Sequence, residues 1–104
     1  MAHMVVIYRT PKDPAAFDVH YVNVHIPLAK TLPGLLRYEV SRRPILTPAG
    51  DPAPYLIGTL YFNDLGSMRQ AFASPEGKAC AADRRVLAPD DDDVQMYLFD
   101  ADEV

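Results

Sequence analysis

Three stretches of this chain alternate like β-strands, yet are apolar on both faces, and this pattern constrains the fold more than any other feature. In residues 55–62, Tyr55, Ile57, Thr59 and Tyr61 point one way, and Leu56, Gly58, Leu60 and Phe62 the other. Residues 4–8 set Val5 and Ile7 against Met4, Val6 and Tyr8. Residues 94–99 set Val94, Met96 and Leu98 against Gln95, Tyr97 and Phe99. A fourth strand is expected over 35–42, with Leu36, Tyr38 and Val40 on one side and Arg37, Glu39 and Ser41 on the other. A sheet made of these strands has two apolar faces to bury.

Helical patterns are too few to cover both. One runs from about 15 to 32, with Phe17, Tyr21, Val24, Leu28 and Leu32 on one face; Asp13 is its expected cap, and Pro33-Gly34 stops it. A second starts at Asn63 or Asp64 and runs through Phe72. A third restarts at Ser74-Pro75-Glu76, where a capping hydroxyl, a first-turn proline and an acid follow one another. A proline-rich loop holding Pro44, Pro48, Pro52 and Pro54 separates the second and third strands. The order strand, helix, strand, strand, helix pair, strand is βαββαβ: a ferredoxin-like α+β fold with a four-stranded antiparallel sheet. Helices cover one face, so a second copy packed on the open face, as a homodimer, is the expected remedy for the other.

Length and charge narrow the partners. The 104 residues suit a single domain. The opening Met1-Ala2-His3 reads as a leftover of cloning, so the domain is taken as 4–104 and His3 is set aside. A net charge of -4, with no basic cluster larger than Arg42-Arg43 or Arg84-Arg85, is a poor match to nucleic acid. No apolar run reaches membrane-spanning length. Cys80, the lone cysteine, reads as a small buried side chain, which suits a reducing cytoplasm.

The chemistry-bearing residues gather in His20-Tyr-Val-Asn-Val-His25-Ile-Pro27. Pro27 cannot donate to the carbonyl of Asn23, and its ring clashes there, so a break near 23–26 is expected. In a regular helix His25 lies roughly 60° from the centre of the apolar stripe and His20 roughly 80°, on the opposite flank. His25 at the break is therefore the expected pocket residue, as general acid or base, and His20 a surface or packing residue. Tyr21 and Tyr38 would donate hydrogen bonds to a substrate oxygen. The blander alternative makes His25 a brace on a loose carbonyl and the tyrosines core residues. Histidines five apart do not share an α-helical face, so no two-histidine metal site is expected. Asp90 to Asp93 reads as a solvated loop.

The segments FDVHYVNVHIPLAKTLPGLLRYEVS, from Phe17 to Ser41, and PYLIGTLYFNDLGSMRQAFASPEGKACAAD, from Pro54 to Asp83, resemble the EthD family, named for ethyl tert-butyl ether degradation. The resemblance implies a dimeric α+β barrel. Barrels of that kind include cofactor-free oxidoreductases, polyketide cyclases, isomerases and haem enzymes. Related cyclases carry a histidine near the segment matching Ser74-Pro75-Glu76-Gly77, and this chain has none there. The expectation is a cytoplasmic homodimer that binds or transforms a small apolar oxygenated compound, aromatic or polyketide-like, without a cofactor, through His25, Tyr21 and Tyr38. Two rival readings stand beside it: a non-catalytic ligand-binding or accessory dimer, and a haem protein with His20 or His25 as axial ligand.

Overall fold

The computed structural model describes all 104 residues. Strand β1 spans Ala2–Tyr8, β2 Arg37–Val40, β3 Leu56–Phe62 and β4 Val94–Asp100. They form one antiparallel sheet in the order β2-β3-β1-β4. Helix α1 is Pro14–His20, a π-helical turn follows over Tyr21–His25, and α2 is Ile26–Ala29. Helix α3 spans Leu65–Ala73 and α4 Pro75–Leu87. The ferredoxin-like α+β class expected from the sequence is the fold observed.

Local chemistry sets the helix ends. Asp13 Oδ1 accepts from the Ala16 amide at 3.1 Å, Asp64 Oδ1 from Ser67 at 2.6 Å, and Ser74 Oγ from Gly77 at 3.1 Å. Beyond the helix, Leu32-Pro33-Gly34-Leu35 form a turn in which Leu35 N–H donates to Leu32 O at 3.3 Å and Gly34 takes a φ of 76°, in the left-handed region that glycine enters without cost. The stop falls earlier than periodicity predicts, because the last helical residue is Ala29 rather than Leu32.

The first helix is not continuous, and proline is the cause. Pro27 has no amide proton for the Asn23 carbonyl, and its ring would press on that carbonyl. The backbone widens, and Ile26 N–H reaches back five residues to Tyr21 O. This i→i+5 bond is the signature of a π turn. The expected break within a turn of His25 is thus a π turn rather than a kink.

The core lies between the helices and one face of the sheet. Ala2, Met4, Val6 and Tyr8 of β1 are buried there, beside Leu56, Leu60 and Phe62 of β3. Ala2 and His3, set aside as a cloning remnant, belong to β1, and His3 packs edge-on against Tyr61. From the helical side come Phe17, Tyr21, Met68, Ala71 and Cys80. Aromatic rings run in series through this layer, Tyr8 with Phe17, Phe17 with Tyr21 and Phe17 with Tyr55, at centroid spacings of 5.3, 5.8 and 5.6 Å. Such pairs each add about 1 kcal/mol beyond simple burial. The proline-rich loop is tied to α1 at its two ends: Arg43 pairs with Asp18 at 3.2 Å, and Tyr55 donates to Asp18 at 2.9 Å.

Helices stop short of β4. Met96 and Leu98 on the helical side are as exposed as Tyr97 and Phe99 on the open side. The sequence reading left one sheet face bare; the structure leaves that face and both sides of the β4 edge.

Helices α3 and α4 meet where Gly77 touches backbone. A Cβ at Gly77 would lie 2.2 Å from Ala71 O and 2.4 Å from Phe72 Cα, and neither atom can swing away. Gly77→Ala should therefore cost about 3 kcal/mol or more through overpacking. Urea unfolding checks this; a midpoint within error of the parent protein would show that the two helices can part freely.

Candidate active site

Asp83, on the face of α4 that also buries Gly77, Cys80 and Leu87, is a carboxylate with little water around it. Such a charge is costly unless donors surround it. Two imidazoles supply them. His20, the last residue of α1, places Nε2 at 2.7 Å from Asp83 Oδ1. His25, the last residue of the π turn, places Nδ1 at 2.9 Å from Oδ2. A carboxylate only accepts, so both of these ring nitrogens carry the proton and donate. In the neutral rings the opposite nitrogens, Nδ1 of His20 and Nε2 of His25, are left as acceptors.

The π turn is what lets both histidines reach one carboxylate. At 100° per residue, positions five apart diverge by about 140°. An i→i+5 turn instead brings residues five apart onto one face. The sequence reading gave His20 a surface or packing role on the opposite flank; the structure packs it against α4 through Asp83, on the carboxylate that His25 also uses, because the α-helical period does not carry through this segment.

The three residues singled out from sequence do come together. Tyr21 is buried and tilts over His25, ring centroids 5.2 Å apart. Its hydroxyl is bonded to that of Tyr38, which reaches across from β2. Gly58 beneath them has no side chain; a Cβ there would sit 3.0 Å from the Tyr21 hydroxyl oxygen. Tyr8 on β1 completes the inner wall, its ring 6.0 Å from that of Tyr21. Asp83, Tyr8 and His20 are the members that sequence reasoning missed. The available signal for Asp83 was its place in the buried 77, 80, 83, 87 series of α4.

Burial governs the ionisation of the cluster. It pushes the His25 imidazole below the usual histidine range, outweighing the bond to Asp83 that pulls it up; His20 and Arg84 act in the same direction as burial. Burial also raises Tyr8, Tyr21 and Tyr38, the Tyr38 hydroxyl adding to the effect on Tyr21. All three phenols stay protonated and able to donate. Burial pushes the Cys80 thiol up to about 11, which makes it an inert side chain rather than a nucleophile. No group of three His, Cys, Asp or Glu side chains adopts a metal-holding arrangement.

No buried side-chain nitrogen or oxygen lacks a hydrogen-bond partner. Nε2 of His25 makes no such bond and is therefore not fully enclosed. A neutral imidazole, fixed as the Nδ1–H tautomer by a carboxylate and presenting a free Nε2, can take a proton. One tyrosine of the pair donates to the other, which leaves a single phenolic proton for a ligand oxygen. Beside this cluster, a cleft of about 480 Å³ opens between the end of β1, α1 and the end of α4, with His20 in its wall. No helix is long and apolar enough to cross a membrane.

The fold and cluster define a class first: a small α+β protein with a carboxylate-oriented imidazole and a tyrosine pair under its helical layer. Residues 9–91 match the model of the EthD domain, and the chain belongs to the EthD family. A Rhodococcus erythropolis protein, described as an uncharacterized 11.0 kDa protein in the thcB-thcC intergenic region, is 40% identical over 83 residues, 80% of each chain. The crystal structure of an EthD family protein from Bacillus halodurans is 33% identical, with a TM-score of 0.86 over 97% of this chain and 98% of that one. At 19% identity, the cofactor-independent oxygenase SnoaB of Streptomyces nogalater shares the fold, with a TM-score of 0.67 over 99% of this chain and 94% of its own.

The depressed His25 has a thermodynamic consequence. In the unfolded chain it protonates near the ordinary 6.5, in the folded one only at lower pH. Between those values the unfolded state binds more protons, so stability is full above about pH 6.5 and falls as pH drops through the folded value. His25→Gln should lose less stability between pH 7 and pH 5 than the parent protein in urea titrations. Equal losses would mean that His25 is not held neutral.

Proposed function

We propose that the protein is an enzyme of cofactor-free acid/base chemistry on a small, largely apolar compound bearing an enol, phenol or activated carbonyl. The observation that carries this reading is the Asp83–His25 pair with Nε2 free. Nε2 takes a proton from the substrate, the resulting imidazolium is stabilised by Asp83, and the oxygen that gains charge accepts from the Tyr21–Tyr38 pair. The proton returns from Nε2 to another atom of the same substrate, so an isomerisation or cyclisation balances without an external oxidant. SnoaB is described as a cofactor-independent oxygenase, which supports a site of this fold working without a cofactor.

The same hydrogen bonds favour a second reading. Asp83 ties α1 and the π turn to α4, so the cluster can be a brace in a non-catalytic binding protein. Exchange of substrate hydrogen for deuterium in D2O separates the two, using a panel of 1,3-diketones and hydroxylated aromatic ketones followed by NMR. His25→Ala should lower the exchange rate by about 100-fold or more, and Tyr38→Phe should lower it less, with folding intact by circular dichroism. If His25→Ala weakens the fold and leaves the rate unchanged, the brace reading holds. A visible absorption spectrum of the purified protein separates the haem reading from both.

The dimer and a cytoplasmic setting belong to the same proposal. Val5, Ile7, Ile57 and Tyr97 share the open sheet face, and the β4 edge carries exposed Met96, Leu98 and Phe99. A second copy seated there would bury this apolar surface. Sedimentation at micromolar concentration should give twice the 11.6 kDa chain mass. A monomer, with Tyr97→Lys and Phe99→Lys leaving solubility unchanged, would contradict it.

A further inference from the structure

We propose that the cleft beside α1 is a binding site for a neutral ring compound carrying a hydroxyl, and that Nδ1 of His20 is the acceptor that receives this hydroxyl. The cleft is lined by His20 and not by His25, Tyr21 or Tyr38, and it adjoins their cluster through Tyr8 and Asp83.

Shape and lining indicate the ring. About 480 Å³ is within the range of small-molecule sites. Tyr8, Phe17, Leu87 and Ala88 form its inner wall. Tyr8 and Phe17 are packed edge to face at 5.3 Å and are buried themselves, so they make a rigid floor, and the apolar surface a ring meets comes from Pro11, Ala16 and Val86 along the sides.

Charge argues for neutrality. Arg9 and Lys12 line the cleft, and neither is in an ion pair. Asp13, Asp90 and Asp93 line it as well. Two cations facing three carboxylates give no net pull on a free anion and would repel it slightly.

Hydrogen-bond accounting supplies the polar contact. The side chain of His20 is 31% exposed, and its Nε2–H is committed to Asp83 at 2.7 Å. Nδ1 has no partner within the protein and is not buried. In the neutral ring it is an acceptor only. A ligand that pairs with it must donate, which an alcohol, phenol or enol does and an ether or ketone does not. Because His20 and His25 hold opposite oxygens of one carboxylate, a donor arriving at His20 alters how strongly Asp83 is shared with His25. The cleft is thus placed to couple its occupant to the imidazole proposed as the base.

The test uses the intact protein labelled with 15N at histidine, titrated with phenol and, separately, with anisole, which has the same ring and no donor. Phenol should move the Nδ1 resonance of His20 and bind roughly tenfold more tightly than anisole, the size of one hydrogen bond. His20→Ala should remove that difference, and His25→Ala should keep it. Equal binding of phenol and anisole to the parent protein, or a His20 resonance that stays still at saturation, would overturn the proposal; neither measurement depends on a variant folding. If His25→Ala retains phenol at His20 while the deuterium exchange described above is unchanged by that same substitution, the binding site stands and the catalytic reading fails.

Discussion

A carboxylate placed between two helices and away from water must have its oxygens filled, and the architecture around Asp83 meets that demand. Each oxygen takes one imidazole N–H, at 2.7 and 2.9 Å. Loss of either partner would leave part of a buried charge uncompensated, at a cost of about 3 kcal/mol or more. The three side chains come from the end of α1, the end of the π turn and the last third of α4. One interaction therefore fixes how the helical layer closes over the sheet. It also determines the tautomer of His25, and hence which of its nitrogens is left to act.

Energetics within the cluster divide cleanly between the two layers. Phenols contributed by the sheet and the π turn are kept neutral by burial, and so serve as donors. The imidazole above them is kept neutral by the same burial, and so serves as an acceptor. A dry environment with complementary neutral groups strengthens each hydrogen bond it receives and penalises any left unmade. The ligand proposed above, apolar and bearing an oxygen, matches such a place better than an ionic compound would.

Most of the fold was legible because its signals are local. Alternation in 4–8 and 55–62, the caps Asp13, Asp64 and Ser74, and the turn at Pro33-Gly34 act within a few residues of themselves. Of the candidate site, His25, Tyr21 and Tyr38 were singled out and lie together, since histidine and tyrosine announce their chemistry by type. Asp83 was not, because its partners lie 58 and 63 residues away in the chain. That His20 shares the carboxylate of His25 was not legible, because its direction depends on a helical period that Pro27 changes one turn later. Strand β4 was read as half covered, whereas its exposure depends on how far α3 and α4 extend over the sheet, a tertiary property that no window of sequence carries.

A π turn holds one residue more than the α-helical turn it replaces. In geometric terms, the arrangement of His20 and His25 corresponds to one extra residue between two otherwise ordinary helical segments. Removing one codon from 21–25 would rotate everything before it by about 100° relative to everything after it, and the two imidazoles would part without either being mutated. The pairing of the two histidines is thus as sensitive to the length of the segment between them as to their identity, and a one-residue deletion there would undo it while leaving both in place.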